Sequence, residues 1–317
     1  MSEIDPKDPS LQVSFVIAED PAFTAAVGEK LIFAQIALQF EIKSRSALMR
    51  NWQVFEGAVL ALTFSDGHEH RILGSAVMVA PGIAFCANHV MHDHLSDLVN
   101  SRVSVMGFGI ASHGALGWRV RHILVVDRSD LCLLSLEYAG QLPPDRRFRQ
   151  MGITTRLPAE GEDLVVAGFR PSRKSFPAMP GQRVEFSGNV VLCSGRVTQR
   201  FPIGRDSSLV YWPALEIDCP AWGGMSGGPV FDSRGWLVGL VSRSLETQDE
   251  PSPMTAALLW PALGHAVSAG WPLSPSLQYK SLLELAGTTC SIERPSAVTA
   301  IKDPQSSRVE TTYEAWT

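Results

Sequence analysis

The 317-residue chain lacks long hydrophobic runs, blocks of like charge and a cysteine framework. Its most apolar early stretch, Leu31 to Phe40, is too short to span a bilayer and is flanked by Glu29, Lys30 and Glu41, so it reads as a buried helix or strand. The N-terminus, MSEIDPKDPS, is acidic and proline-containing. A secretory leader needs a basic start and an apolar run, and none is expected here. Lysine and arginine total 27 against 32 aspartates and glutamates, a net charge of −5 with no basic run. A nucleic-acid groove needs clustered positive charge, so neither nucleic acid nor a membrane is an expected partner. The cysteines, Cys86, Cys132, Cys193, Cys219 and Cys290, are odd in number and widely spaced in a chain large enough to fold without staples. Four of them sit in apolar, strand-like runs, where a thiol acts as a small hydrophobe. No disulfide framework is expected, and a reducing, cytoplasmic compartment is.

What is present is a soluble globular balance, with 45% apolar and 19% charged residues. Residues 1–50 form a mixed N-terminal extension, helix-like in places between Phe23 and Phe40 and interrupted at Gly28. From Val54 the texture changes to short apolar runs, among them VLALTF, ILGSAVMVA, IAFCANHV, VSVMGFGI, WRVRHILVV and LCLLSL, punctuated by Gly, Pro, Asp and Ser. Such spacing predicts an all-β sandwich or barrel rather than βαβ units. His68-Glu69-His70 reads as a hairpin tip after Asp66-Gly67. Tyr138 to Asp163 reads as a connection, with a solvated basic patch from Arg146 to Arg149. Strand texture resumes with DLVVAGF, NVVLCSGRV, SLVYWPALEI, GGPVF and WLVGLVS. The chain divides into two strand-rich units, residues 51–145 and 146–270, the second closed by a strand and short helix within Ala256 to Val267. A C-terminal extension, 271–317, turns polar from about Pro295 and reads as a mobile tail.

The sharpest local signal is Gly223-Gly224-Met225-Ser226-Gly227-Gly228-Pro229-Val230. A serine among glycines can occupy a tight turn with unshielded backbone amides beside its hydroxyl. Acyl transfer needs that arrangement, a nucleophile together with N–H donors for the oxyanion. A phosphate loop would need Lys-Ser/Thr after the glycines, whereas this run continues into a strand; a simple hairpin turn is the other reading. The second signal is His89, ending the run AFCANHV, which read alone fits a core histidine as well as a general base. The third is Asp130, immediately before LCLLSL. An aspartate entering an apolar strand is costly to bury unless paired, and an imidazole N–H is a suitable partner. Asp127 competes with it for that place.

Together these contexts resemble the chymotrypsin/trypsin-like peptidases, which share the chain order His, Asp, Ser. GSAVMVAPGIAFCANHV resembles the strand pair that ends in the family's catalytic histidine, DLCLLSL its aspartate strand, and GMSGGPV its G-(D/N)-S-G-G-P turn. The three matches span roughly Val54 to Val267. The resemblance implies two six-stranded Greek-key β-barrels, with an N-terminal extension and a short C-terminal helix. His89 and Asp130 would come from the first barrel and Ser226 from the second, with the N–H groups of Gly224 and Ser226 as oxyanion hole. It implies a serine endopeptidase without cofactor or metal, acting on protein or peptide. By alignment, the primary pocket would be lined by Pro220, Ala221, Trp222 and Gly223 and by Ser242, Arg243 and Ser244. Pro220 at its floor supplies no carboxylate, which favours a small or apolar residue before the cut, and Arg243 is expected to point outward.

Met225 stands where digestive members carry an aspartate that pairs with a released N-terminus, so activation by that salt bridge is not expected. Asp218 to Ser226, DCPAWGGMS, is closer to the HtrA-type pattern DAAINPGNS, but too few residues follow for the PDZ domain of that branch. The cluster His89, His92, Asp93 and His94 resembles a metallo-hydrolase ligand run but has Met91 where that run needs histidine. The N-terminal extension could gate the cleft or bind a regulatory partner. The rival function is a catalytically silent binding module on the same fold.

Overall fold

Runs rich in Val, Ile, Leu and Phe become strands wherever turn residues release the chain at both ends. The first hairpin illustrates this. Asp66 Oδ1 accepts the backbone N–H groups of His68 and Glu69, each at 2.8 Å, and Gly67 takes φ +85°, a left-handed turn conformation open to glycine. The computed structural model describes residues 10–17, 30–43, 45–49, 55–100, 103–173, 175–177, 184–244, 253–303, 305 and 308–316.

Six strands make the first barrel: β1 (Val59–Ser65), β2 (Glu69–Ala80), β3 (Ile83–Ala87), β4 (Ser104–Ala111), β5 (Gly114–Val125) and β6 (Leu131–Tyr138). They pair antiparallel in the order β2-β1-β4-β5-β6-β3, and β3 returns to β2 to close the cylinder. The second barrel repeats the plan with β7 (Asp163–Pro171), β8 (Val184–Phe201), β9 (Ala214–Ile217), β10 (Pro229–Phe231), β11 (Leu237–Ser244) and β12 (Met254–Leu258). Its order is β10-β7-β8-β9-β12-β11, with β11 pairing back onto β10. Closure leaves no edge within either cylinder. The expected all-β double barrel is therefore present.

The segments outside the barrels are organised more than their composition predicts. In the N-terminal extension, Ser10–Ile17 pairs antiparallel with the start of β8. Where helix-like texture was expected up to Phe40, Ile32–Gln35 is a strand running parallel to Arg147–Gln150; the rest of that stretch, up to residue 29, lies outside the described residues. This pairing also changes the reading of the basic patch. Its arginines alternate with Phe148, which is fully buried and stacks on Phe33 at 5.2 Å.

After β12 the expected short helix is a 3-10 turn, Trp260–Ala262, with Pro261 inside it. A short α-helix occurs later, at Leu282–Leu285, started by a capping box between Ser281 and Glu284. The stretch expected as a mobile tail is instead a β-hairpin, Val298–Lys302 with Val309–Tyr313. Tyr313 donates its hydroxyl to the Thr155 carbonyl at 2.7 Å, and Trp316 donates Nε1–H to Thr155 Oγ1 at 2.8 Å. A two-stranded ribbon lying on a barrel exposes one face, so polar composition was a poor guide to its order.

Candidate active site

Strand pairing creates the first half of the site. Leu131 of β6 lies opposite Ala87 of β3, so Asp130 and His89, one residue before and two after those partners, meet at one end of the barrel. The chain turns there into the short helix α1 (Asn88–His92), whose first N–H, from Asn88, donates to the Asp130 carbonyl at 3.1 Å. The His89 backbone N–H donates to Asp130 Oδ1 at 3.0 Å, and His89 Nδ1 lies 2.8 Å from Oδ2. Ser242 of β11, in the other barrel, donates its hydroxyl to the same Oδ2 at 2.5 Å. Asp130 is only 4% exposed, and these donors compensate its burial. An Nδ1–H held by the carboxylate leaves Nε2 as the basic nitrogen. Of the two competing aspartates, the structure brings Asp130 to His89, while Asp127 is exposed.

The second half is the turn from Gly224 to Gly228. Met225 N–H donates to the Trp222 carbonyl at 3.0 Å, Gly228 N–H to the Met225 carbonyl at 2.8 Å, and Gly227 N–H to the Val241 carbonyl at 2.8 Å. Gly224 and Gly227 have φ of +98° and +80°. A Cβ on Gly227 would sit 2.2 Å from the Ser75 carbonyl, so only glycine fits. Among the described residues, the N–H groups of Gly224 and Ser226 have no protein acceptor. Met225 is fully buried and lies against Gly168, where an added Cβ would come within 3.0 Å of it.

His89 and Ser226 line one cavity of about 410 Å³. Ser242, Arg243 and Ser244 form part of its wall, together with Leu209, Val210 and Glu216. Pro220, Ala221 and Trp222 are half-buried and Gly223 is exposed; these four precede the Ser226 turn and do not line that cavity. Arg243 is exposed at the cavity wall, its guanidinium 5.7 Å from the Trp212 ring centroid. The sequence reading did not single out Ser75 or the loop residues Leu209 and Val210. It placed Ser242 in a pocket wall without anticipating the bond to Asp130.

His92 and Asp93 are exposed, and His94 packs on Phe64 at 4.6 Å, where burial lowers its imidazole pKa. No group of three or more metal-ligating side chains converges among the described residues. All five cysteines are buried and none is in a disulfide. Burial pushes the Cys86 thiol well up and that of Cys290 to about 12, which keeps both protonated and poor nucleophiles.

The family model described as a trypsin-like peptidase domain matches residues 74–240, more than half of the chain and all three motif contexts. No curated protein matches the sequence. Among solved structures, the protease domain of MamO from Magnetospirillum magneticum is 14% identical, with a TM-score of 0.43 over 65% of this chain and 93% of that one. An inactive form of Rv3671c from M. tuberculosis H37Rv is 17% identical, with a TM-score of 0.44 over 69% and 91%. The HtrA-type protease AlgW, solved with a tripeptide, is 17% identical, with a TM-score of 0.44 over 64% and 56%.

Proposed function

The chain belongs to the trypsin-like peptidase family, and from that membership we propose that it is a serine endopeptidase using Ser226, His89 and Asp130. The observation that carries this reading is the buried Asp130 carboxylate holding His89 Nδ1 at 2.8 Å, with His89 and Ser226 on one cavity wall. In this reading Ser226 Oγ attacks the scissile carbonyl of a bound protein or peptide, and His89 Nε2 accepts the hydroxyl proton. The N–H groups of Gly224 and Ser226 receive the oxyanion. Collapse of the tetrahedral intermediate breaks the C–N bond, and His89 returns the proton to the leaving amine. Water, deprotonated by His89, then hydrolyses the acyl-enzyme and releases Ser226. Asp130 holds the ring in the tautomer this cycle needs and stabilises the imidazolium. No cofactor enters any step.

The pocket reading is part of the proposal. Pro220 to Gly223 and Ser242 to Ser244 would flank the substrate segment before the cut. Met225, fully buried beside Ser226, offers no carboxylate to a new N-terminus, so control would come from elsewhere, the N-terminal extension being one route. Five buried cysteines, none in a disulfide, suit a reducing compartment.

A fluorophosphonate probe tests the function. The wild-type protein should be labelled at Ser226, and both Ser226→Ala and His89→Ala should abolish labelling. A folded wild-type protein that stays unlabelled would replace the peptidase reading with a silent binding module.

A further inference from the structure

Ser75, fully buried on β2 of the first barrel, bonds to the Ser226 turn of the second barrel at two points. Its backbone N–H donates to the Ser226 carbonyl at 2.8 Å. Its hydroxyl donates to the Gly224 carbonyl at 2.9 Å and accepts the Phe169 N–H at 2.9 Å. We propose that Ser75 is a positioning residue that sets the orientation of the oxyanion-binding amides from the opposite barrel. The proposal rests on the serine peptidase reading and deepens it.

The reason lies in how the peptide units of the turn are held. In the unit joining Gly224 and Met225, the carbonyl is held by the Ser75 hydroxyl and the N–H by the Trp222 carbonyl at 3.0 Å. In the unit joining Ser226 and Gly227, the carbonyl is held by the Ser75 N–H and the N–H by the Val241 carbonyl at 2.8 Å. The units between and before them carry the two N–H groups that must stay open for an oxyanion. The Ser226 amide is fixed through its own carbonyl partner, Gly228 N–H at 2.8 Å from Met225 O. The Gly224 amide has no such restraint among the described residues, and its direction follows from the φ of Gly224, +98°. That angle is steady only while the following unit is held, and the Ser75 hydroxyl is one of its two holds. Glycine has no Cβ to restrict rotation at this point.

Loss of the hydroxyl also strands two backbone groups, the carbonyl of the half-buried Gly224 and the buried Phe169 N–H, where no solvent reaches Ser75. The cheapest repair is rotation of the Gly224–Met225 unit toward another donor, which carries the Gly224 N–H away from the oxyanion. Substrate binding along β11 would be little affected, so the loss belongs in kcat.

The test compares Ser75→Ala with Ser75→Thr, which keeps a hydroxyl, and with Ser135→Ala as a control. Ser135 is another buried first-barrel serine, and its hydroxyl has no partner among the described residues. Peptide hydrolysis and fluorophosphonate labelling are measured below each variant's melting temperature, and the Ser75→Ala crystal structure is determined. Ser75→Ala should lower kcat and the labelling rate about tenfold to a hundredfold with KM within about twofold. Ser75→Thr should recover most of the rate, and Ser135→Ala should keep all of it. The crystal structure should show the Gly224 carbonyl turned from its wild-type direction. Unchanged kcat in Ser75→Ala, or an unmoved Gly224 carbonyl, overturns the proposal. If the wild-type protein neither cleaves nor labels, the peptidase reading fails, and the Gly224 carbonyl direction still decides whether Ser75 positions the turn.

Discussion

A carboxylate as buried as Asp130 is accommodated because three donors point at it: the His89 backbone N–H, the His89 ring and the Ser242 hydroxyl. Asp130→Asn keeps the volume but places an amide where an acceptor is needed, which favours the imidazole tautomer with the proton on Nε2. We expect kcat to fall about 10³–10⁴-fold with the fold intact, read by steady-state kinetics beside circular dichroism. Ser242→Ala removes one of three donors and leaves the ring contact, so its loss should be nearer tenfold, about 1.4 kcal/mol. Equal losses in the two variants would show that Ser242, not the charge, dominates. The grouping of His89, Asp130 and Ser226 as a candidate site was legible in the sequence from three local contexts taken together, and strand entry alone favoured Asp130 over Asp127. Ser75 was not legible. Its hydroxyl partners lie 149 and 94 residues away, and in the sequence it is one small polar residue in an apolar strand.

Elements outside the barrels obey a different logic, because their order comes from docking rather than from their own hydrophobic pattern. Glu293, just before the C-terminal hairpin, accepts from Thr154 at 2.7 Å and from both Arg234 nitrogens at 2.8 and 2.9 Å. Arg234 in turn pairs with the fully buried Asp232, as does Arg156, which also binds Glu162. Burial works to raise the Glu293 pKa, but the bonds from Arg234 and Thr154 outweigh it and hold the carboxyl below its usual range. A carboxyl depressed in the folded state stabilises the fold above its unfolded pKa, and the contribution disappears as pH falls through the folded value. Glu293→Gln should therefore melt about 2–4 °C lower at pH 7, a loss of about 1 kcal/mol. The gap should close in acid below the ordinary carboxylate range. A gap independent of pH would mean that the side chain acts through packing alone. These contacts explain why the polar C-terminus misled the sequence reading. Tyr313 and Trp316 bond to Thr155 across 158 and 161 residues, and no local window of sequence contains both partners.

At the scale of the whole molecule, the double barrel was legible because closed barrels impose regular, short, turn-bounded runs on the chain; how firmly the barrels are joined was not. They meet, among other contacts, through the Asp130–Ser242 bond, the Ser75 contacts and the antiparallel pairing of Ser175–Pro177, between β7 and β8, with Glu69–Arg71 of β2, while in the connection Met151 N–H donates to the Met78 carbonyl at 2.8 Å. A cluster of rings also fastens the segment that follows the second barrel onto the first. Trp271, which follows the second barrel, lies 5.9 Å from Trp118 and 5.3 Å from Tyr138 of the first, 5.3 Å from Phe148 of the connection and 6.4 Å from Phe33 of the N-terminal extension. Each such ring pair contributes about 0.5–1.5 kcal/mol beyond its buried area. A joint of this kind should make the barrels unfold together, although each has a closed sheet of its own. In urea, tryptophan fluorescence and far-UV circular dichroism should trace one coincident transition. Trp271→Ala, which empties the centre of the cluster, should cost about 3–5 kcal/mol and shift the midpoint. With the ring contacts gone, the transition should also broaden or split, with the fluorescence change, which comes mostly from tryptophans outside the first barrel, separating from the loss of strand signal. A lowered midpoint with a single, equally steep transition would place the coupling in the Asp130, Ser75 and Met78 contacts. That would make the active-site cleft itself the structural joint of the molecule.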